Sequence, residues 1–374
     1  MNKIAISGYV GPIKTGIGKT LENIIVELKS IDNGNTYLLF YNKDNSDYLK
    51  YIDGKKIIGK VFNISKNSPI LNILWHQFIL PIRLLKYSVD ILYVPNVTLL
   101  TIKICKTVVV LHDMIEFNVA KKFNRIRMIY RKFAVPLTAK TADHIITVSQ
   151  HSKKDIIKFC KVPSNKITVI HNGVDKSYKP MELSNVKDIL KKHSIVSPYI
   201  LYVGTIDHPG KNAISLIKAF NIFKKNNPNY QLVLVGKPGY GYKTIEKEII
   251  NLEIAESIVI PGYVPDEDLP AIYSGAKVFV LLSLYEGFGL PLVEAMACGT
   301  PIIASNRSCF PEIVGDYNRL VDPYDIDAVA NKISELVNNE KYYSEVVEAG
   351  KNRAKLFNWS NSAKNTLKAF NRYL

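Results

Sequence analysis

The fold prediction starts from one stretch, Glu286-Gly287-Phe288-Gly289-Leu290-Pro291-Leu292-Val293-Glu294, which directly follows an apolar run at residues 278–282. A short apolar run, then glycines and a proline, then helical periodicity is typical of a buried strand that passes into a helix. The glycines leave several backbone N–H groups accessible at the predicted helix start, where an anion binds favourably. Carboxylates stand at both ends of the stretch, eight positions apart.

The same strand-then-helix pattern recurs along the chain and predicts an α/β fold with parallel sheets. The 374 residues are 47% hydrophobic and 22% charged, an ordinary globular composition for about two domains. We predict two Rossmann-like, doubly wound domains that face each other across a cleft. The predicted bounds are 1–178, a linker at 179–197, 198–356, and a C-terminal helix at 357–374 that packs back toward the first domain.

The predicted strands are 3–7, 37–41, 91–94, 107–111, 145–148 and 167–170 in the first domain, and 199–203, 231–235, 258–260, 277–282 and 302–304 in the second. The predicted helices are 17–30, 121–139 and 151–160, then 212–226, 242–252, 266–274, 290–298, 325–338 and 359–374.

The net charge of +16 is unevenly distributed. Residues 1–180 contain 28 Lys and Arg against 12 Asp and Glu, whereas residues 181–374 contain 21 of each. A basic half beside a neutral half indicates that the first domain meets an anionic partner such as phospholipid, a polyphosphate carrier or nucleic acid. The alternative is that the proteins of the source organism are basic in general, in which case the excess of positive charge indicates no particular partner.

Other features exclude several classes of protein. The four cysteines are widely spaced and form no CxxC pair, so they support neither a disulfide framework nor a structural zinc site. The N-terminal apolar stretch is too short for a signal peptide, and the apolar window 70–85 is interrupted by polar residues, so it does not read as a membrane span. We therefore expect a cytoplasmic protein.

Two features of the first half are candidate ligand contacts. A glycine-bearing loop, with Gly16 and Gly18, feeds the first helix; its register does not match a Walker A motif, and it either contacts an anion or is only a tight turn. His112 and Asp113 follow a predicted strand at the edge where open α/β sheets bind ligands, although the pair could simply end the strand.

A predicted basic helix lies between Glu116 and Asp143, where the sequence has no acidic residue. Apolar residues recur there at three- and four-residue steps, which indicates an amphipathic helix. We expect it to contact an anionic membrane surface or a phosphate-rich acceptor, and a solvated basic face is the alternative. Its candidate contact residues are Lys121, Lys122, Arg125, Arg127, Arg131 and Lys132.

The second half carries the more specific candidates. Lys211 stands beside a predicted helix start, so its ammonium and the free N–H groups could act on one diphosphate. Carboxylates accept hydrogen bonds from vicinal hydroxyls, so Glu286 would suit a hexose and Glu294 a nucleoside ribose.

With these motifs the chain resembles the retaining glycosyltransferases of family 4 (group 1), which have the GT-B fold. The resemblance runs nearly end to end, and within the family it is to the surface-polysaccharide mannosyltransferases. The resembling segments are the Gly16 loop and residues 111–113, 145–149, 172–175, 203–212, 262–264 and 286–294. In that family the C-terminal domain binds a nucleotide-sugar donor and the N-terminal domain binds the acceptor.

The resemblance implies a role for each matching residue. Lys211 would neutralise the donor diphosphate, Glu294 would bind the ribose, and Glu286 would contact the transferred sugar. The amides of Gly287, Phe288, Gly289 and Leu290 would support the sugar and phosphates, and Val264 would lie near the base. His112 and Gly16 would close over the sugar, which makes His112, Glu286 and Lys211 the predicted catalytic residues.

One position departs from the family pattern. Many members carry an arginine where this chain has Thr205, so half of the cationic clamp is missing, and His208 or Asn212 could assist Lys211 instead. Two acidic triplets, at 266–268 and 325–327, fall at predicted helix starts, where acidic residues are common. We therefore predict no metal site and no cofactor besides the donor substrate.

We predict a retaining hexosyltransferase that moves a hexose, with a weak preference for mannose, from a GDP- or UDP-linked donor to a hydroxyl of a lipid-linked or polysaccharide acceptor. It would work in O-antigen or capsule assembly, peripherally associated with the inner face of the membrane. A soluble small-molecule glycosyltransferase is one alternative. A nucleic-acid-binding protein that uses the basic half is the other, although no such motif is present and no nucleic-acid partner is expected.

Overall fold

The computed structural model describes residues 1–8, 16–42, 46–62, 69–97, 102–119, 125–315 and 319–374. The chain divides into two compact units. Unit 1 comprises Met1–Gly173 and Asn358–Leu374, and unit 2 comprises Val174–Phe357. The predicted end of the first domain, residue 178, lies five residues beyond Gly173, and the predicted start of the C-terminal helix lies one residue before Asn358. Residues 179–197, predicted as a linker, belong to unit 2.

Unit 1 contains a seven-stranded, all-parallel sheet in the order β3-β2-β1-β4-β5-β6-β7. Its strands are β1 (Asn2–Ser7), β2 (Asn35–Asn42), β3 (Ile57–Phe62), β4 (Ile91–Val94), β5 (Lys106–Val110), β6 (His144–Thr147) and β7 (Ile167–Val169). Every residue of β4 and β6 is buried, as expected for parallel strands that helices cover on both faces.

The helices of unit 1 begin with α1 (Gly16–Ile31), which turns its apolar side, including Leu21, Ile24 and Leu28, into the core. The others in this part of the chain are α2 (Pro69–Leu74), a π-helical turn (Trp75–Ile79), α3 (Leu80–Tyr87), α4 (Ile115–Asn118), α5 (Arg125–Thr141) and α6 (Gln150–Cys160). Two 3₁₀ turns are present at Ser46–Tyr51 and Ser164–Lys166.

Unit 2 contains a six-stranded parallel sheet in the order β10-β9-β8-β11-β12-β13. Its strands are β8 (Tyr199–Val203), β9 (Gln231–Val235), β10 (Ile258–Gly262), β11 (Val278–Leu281), β12 (Ile302–Ser305) and β13 (Leu320–Val321). In both sheets the chain starts in the middle, adds strands to one side, and then crosses to the other, which is the doubly wound arrangement.

Eight helices are described in unit 2: α7 (Leu183–Lys192), α8 (Ala213–Lys224), α9 (Tyr242–Asn251), α10 (Leu269–Gly275), α11 (Leu290–Ala297), α12 (Phe310–Val314), α13 (Ile326–Asn338) and α14 (Glu340–Ala354). A 3₁₀ turn lies at Ala255–Ser257. Helix α13 packs on α8, and α14 packs on α11, so the helix that follows β11 is covered by later elements.

The last helix, α15 (Trp359–Phe370), belongs to unit 1 and packs on α1. Ser362 Oγ donates a hydrogen bond to the carbonyl of His171 (2.6 Å). A Cβ on Gly173 would lie 2.3 Å from the backbone nitrogen of Trp359, so only glycine admits this close approach. The Asn-Gly-Val-Asp segment at 172–175 thus has a packing function where α15 begins.

The sequence-based elements agree with the structure in type wherever both define one, apart from the segment predicted as a linker. Residues 179–197 were expected to be irregular, but they contain α7, whose Val186 and Leu190 are buried and which packs on α10. Charged residues on its exposed face hide this amphipathic pattern. Edge strand β3, the helical run at 69–87 and helix α14 had no predicted counterpart.

Candidate functional site

The strand order of unit 2 reverses between β8 and β11, and this switch point is where open α/β sheets bind ligands. The loop after β8 contains Thr205 and Lys211, and the loop after β11 contains Glu286 and the glycine turn. The two loops are joined directly, because the backbone N–H of Leu284 donates to the carbonyl of Gly210 (2.9 Å). The topology therefore brings together two of the predicted motifs.

The start of the β8 loop is fixed by glycines. Gly204 and Gly236 both have φ in the left-handed range, at 152° and 145°. A Cβ on Gly236 would lie 1.8 Å from the carbonyl oxygen of Gly204, so only glycine fits at position 236. Thr205, the next residue, is exposed, and Gly239 lies against its side chain.

Lys211 is held from its backbone and from its side chain. Its N–H donates to Oδ1 of the buried Asp207 (2.7 Å), which orients the turn before α8. Its ammonium forms an ion pair with Oε1 of Glu286, 75 residues further along the chain. Both side chains retain some exposure, 23% for Lys211 and 17% for Glu286, so a ligand can reach the pair from solvent.

The two residues proposed as substitutes for the missing arginine do not supply a charge. The Nδ1 atom of His208 is buried without a hydrogen-bond partner, and burial lowers the pKa of this imidazole, which is neutral at pH 7. The amide of buried Asn212 donates to the carbonyl of Pro323 (2.8 Å) and accepts from Ser215 Oγ (2.9 Å). Lys211 is therefore the cation of this loop.

The backbone of Glu286 is fixed by one side chain. Ser308 Oγ accepts a hydrogen bond from the Glu286 N–H (3.1 Å) and donates one to the Glu286 carbonyl (2.7 Å). Sequence reasoning missed Ser308, because nothing in the local pattern connects positions 22 residues apart. With its backbone clamped on both polar groups, Glu286 presents its carboxylate in one direction, toward Lys211.

The glycine turn ends at the N-terminus of α11. Gly289 is the N-cap with φ +89°, and a Cβ there would lie 2.8 Å from the Phe310 ring. Phe288 is buried against Phe357, with ring centroids 5.5 Å apart. The first N–H groups of a helix have no partner within it, and this helix start follows Glu286 of the Lys211–Glu286 pair within four residues in sequence.

Glu294 lies one turn further along α11 and is 7% exposed. Tyr273 Oη donates to its Oε2 (2.9 Å), and the carboxylate together with burial holds the pKa of Tyr273 well above its usual value. Tyr273 also packs edge-on to Tyr178, with centroids 6.0 Å apart. The sequence placed Glu294 correctly on a helix but gave no sign of Tyr273, the residue that orients it.

Val264 follows β10 and is 2% exposed, so its side chain is part of the core. Any contact of Val264 with a ligand must come from its backbone. Thr205, Val264 and Glu286 thus follow three different strands, all at the carboxyl edge of the same sheet.

The candidates in unit 1 are arranged around their own sheet. Gly16 is the first residue of α1 and is exposed. His112 follows β5, and its Nε2 lies 3.0 Å from the carbonyl oxygen of Pro95. Burial lowers the pKa of His112, so the ring is neutral; Nε2 then carries the proton for Pro95, and Nδ1 is an acceptor.

The predicted basic helix is observed as α5, although Lys121, Lys122 and the side chain of Arg125 lie outside the described residues. Arg127 and Lys132 are exposed. Arg131 instead pairs with the buried carboxylate of Glu116 (3.2 Å), so this cation is used within unit 1. Ile129 and Phe133 are 71% and 65% exposed, which gives α5 an apolar as well as a basic surface.

In the described ranges, no group of three or more His, Cys, Asp or Glu side chains is arranged to hold a metal ion. No helix there is both long enough and apolar enough to cross a bilayer.

Comparison with known proteins places these features in context. A family model described as "Glycosyl transferases group 1" matches residues 186–353, and one described as "Glycosyltransferase Family 4" matches residues 15–178. The O-antigen chain mannosyltransferase B of Escherichia coli is 29% identical over 373 residues, which cover 96% of this chain and 97% of that protein. The serotype-specific mannosyltransferase WbdA of Escherichia coli is 28% identical over 286 residues, but the match spans only 34% of its length.

Among solved structures, Anabaena HepE in complex with UDP and glucose superimposes with a TM-score of 0.77. The alignment covers 99% of this chain and 100% of that one at 19% sequence identity. At this identity the similarity establishes a shared fold.

Proposed function

We infer the function of this chain from its family, because it belongs to the group 1 glycosyl transferases of family 4 and is therefore a glycosyltransferase. Its fold is that of the family, with two doubly wound parallel sheets.

The proposed reaction is transfer of a hexose from a nucleoside diphosphate sugar to a hydroxyl group, with retention of the anomeric configuration. The observation that carries it is the Lys211–Glu286 ion pair at the switch point, beside the N-terminus of α11. Cleavage of a glycosyl phosphate leaves negative charge on the departing diphosphate, and Lys211 with the amides of Gly287 to Leu290 would stabilise that charge.

The two glutamates have separate roles in this proposal. Glu286 accepts hydrogen bonds from hydroxyls of the transferred sugar, and Glu294, oriented by Tyr273, accepts those of the ribose. The backbone of Val264 contacts the base, and Thr205 lies at the diphosphate without adding charge. No metal ion or further cofactor is required in this scheme.

In unit 1, His112 and Gly16 are the proposed ligand contacts on the acceptor side. Because the His112 ring is neutral with Nε2 committed to Pro95, its Nδ1 can accept a hydrogen bond from a sugar hydroxyl. A neutral imidazole with a lowered pKa is a poor proton acceptor, so the proton of the attacking hydroxyl passes to the leaving diphosphate.

We propose mannose as the transferred sugar and a saccharide of O-antigen type, carried on a lipid, as the acceptor. The support is the match over nearly the whole length of an O-antigen chain mannosyltransferase. A lipid-borne acceptor places the enzyme at the cytoplasmic membrane surface, which α5 would contact through Arg127 and Lys132 together with the apolar Ile129 and Phe133.

The donor-binding test is isothermal titration of GDP-mannose, a UDP-hexose and dTDP-rhamnose into the wild type and Lys211→Gln. We expect one donor to bind selectively and Lys211→Gln to weaken it about 10- to 100-fold, the value of one charge-assisted contact. Glu294→Ala should weaken the same donor at least tenfold, since the ribose loses its carboxylate.

The matched control is the Lys218–Glu248 ion pair of the same unit (3.4 Å), which joins α8 to α9 and belongs to neither the β8 loop nor the β11 loop. Lys218→Gln removes one cation in the same way and should leave donor affinity unchanged. Equal losses in Lys211→Gln and Lys218→Gln, or no binding of any donor to the wild type, would contradict the assigned site.

A further inference from the structure

The helical run 69–87, made of α2, the π-helical turn and α3, exposes a row of large apolar side chains. They recur at steps of three and four residues, so they share one side of the run. This apolar stripe consists of Leu71 (44% exposed), Leu74 (44%), Phe78 (58%), Ile82 (66%) and Leu85 (62%).

The opposite side of the run anchors it to unit 1. Trp75 is 2% exposed and stacks on Phe62 with ring centroids 4.2 Å apart. Leu80 and Leu84 are also buried. Among the described residues, this buried side holds the run in place, and an exposed row of large apolar side chains is a candidate interaction site.

The charges around the stripe indicate what kind of partner it meets. From Lys55 to Val89 the chain contains six Lys and Arg residues and no acidic residue. Arg83 and Lys86 are exposed on α3, next in sequence to Ile82 and Leu85. Apolar side chains flanked by cations, without acids, complement an anionic lipid surface, where the rings and aliphatic chains enter the interface and the cations meet the headgroups.

The stripe lies on the same side of the sheet as α5. A cavity of about 230 Å³ is lined by Leu80 and Leu84 of α3 and by Thr138 and Thr141 of α5, so the two helices are neighbours. Ile129 and Phe133, which are also exposed, lie earlier on the same helix, α5. Unit 1 therefore exposes large apolar side chains on two neighbouring helices.

We propose that the apolar stripe docks unit 1 onto an anionic lipid bilayer, with Phe78, Ile82 and Leu85 entering the interface and Arg83 and Lys86 at the headgroups. This inference deepens the proposed function, since it identifies a membrane contact in addition to α5. The observations that support it are independent of those that support the donor site, because the stripe lies in unit 1 and Lys211 lies in unit 2.

The test is flotation of the purified chain with vesicles of phosphatidylcholine and phosphatidylglycerol in a two-to-one ratio. The variant Phe78→Ser/Ile82→Ser/Leu85→Ser should partition at least tenfold less than the wild type, because three exposed apolar groups no longer leave water. Arg83→Gln/Lys86→Gln should weaken partition more at low salt than at high salt. All five positions are exposed, so circular dichroism spectra and melting curves should match the wild type.

The matched control replaces three equally exposed apolar residues of unit 2, Leu183 (78%), Val196 (61%) and Ile250 (69%), by serine. It should partition like the wild type. If the stripe variant floats as well as the wild type, the proposal is wrong. It is also wrong if the wild type is a dimer in sedimentation experiments that the stripe variant dissociates, because a second copy would then cover the stripe.

Donor titration separates this proposal from the proposed function. Loss of flotation in the stripe variant with unchanged donor affinity supports both. Loss of flotation in a chain whose wild type binds no donor supports the stripe and overturns the donor site.

Discussion

Replacing Glu286 by glutamine should affect a nucleoside diphosphate and its sugar conjugate in opposite directions. In the structure Glu286 holds the Lys211 ammonium, and both groups are largely withdrawn from water, with 23% and 17% of their side chains exposed. A diphosphate that binds Lys211 must compete with this carboxylate. Glu286→Gln keeps the shape of the side chain and removes the competing charge.

The size of the effect follows from the contacts involved. A hydrogen bond to a charged group contributes about 1.5–3 kcal/mol, or roughly 10- to 100-fold in affinity. Release of Lys211 should therefore raise the affinity for the bare diphosphate, by up to about tenfold. The sugar conjugate loses its contact with Glu286 and should bind about tenfold more weakly, with a larger fall in kcat.

The assay is titration of the diphosphate and the nucleotide-sugar into the wild type, Glu286→Gln, Lys211→Gln and the double variant. Glu248→Gln, which breaks the Lys218–Glu248 ion pair of unit 2, is the control and should bind both ligands like the wild type. If Glu286→Gln weakens the bare diphosphate as strongly as Lys211→Gln does, Glu286 only positions the lysine, and its assigned contact with the sugar is refuted.

Three further predictions follow from single contacts. Gly173→Ala should destabilise unit 1 by about 2–4 kcal/mol in urea titrations, because its Cβ would lie 2.3 Å from the Trp359 nitrogen; an unchanged midpoint would contradict this packing. Burial and neighbouring cations lower the pKa of His144 to about 4, so the unfolded chain takes up a proton near pH 6.5 and the folded chain only near pH 4. The contribution of His144 to the free energy of unfolding should thus be constant above about pH 7 and fall by up to about 3 kcal/mol between pH 6.5 and 4, and His144→Gln should flatten the slope in this range. Tyr273→Phe removes the hydrogen bond that orients Glu294 and should weaken nucleotide-sugar binding about fivefold with little change in melting temperature, whereas an unchanged affinity would mean that Glu294 needs no such support.

The sequence predicts the βα alternation well, because parallel strands buried on both faces appear as short apolar runs. For example, all four residues of β11 are buried, and the apolar run at 277–282 predicts this strand. Edge strand β3 was missed because Gly59 interrupts it and most of its residues are only partly buried. Helix α7 was missed because its buried positions, Val186 and Leu190, are outnumbered by charged ones.

The sequence predicts the local motifs of the candidate site but not the contacts between them. Glycines before a helix and the spacing of Glu286 and Glu294 are local signals. The pairing of Glu286 with Lys211 depends on strands β8 and β11 being neighbours in the sheet, which the order of elements along the chain does not reveal. The supporting contacts from Tyr273 and Ser308 arise for the same reason and leave no local pattern.

The charge asymmetry does not show which basic residues of unit 1 are available to a partner. Of the basic positions singled out in α5, Arg131 is paired with buried Glu116. The apolar stripe at 69–87 was not predicted, because the sequence does not show which side of this apolar helical run faces solvent. Only that side distinguishes an interfacial helix from a core helix.

The most direct test of the central claim is proton NMR of the first-formed product when the chain is incubated with its preferred nucleotide-sugar and a saccharide acceptor. We predict that the product keeps the anomeric configuration of the donor. The transfer rate should fall at least a hundredfold in Lys211→Gln and stay unchanged in Lys218→Gln. A product with inverted configuration, or transfer that survives in Lys211→Gln, would contradict it.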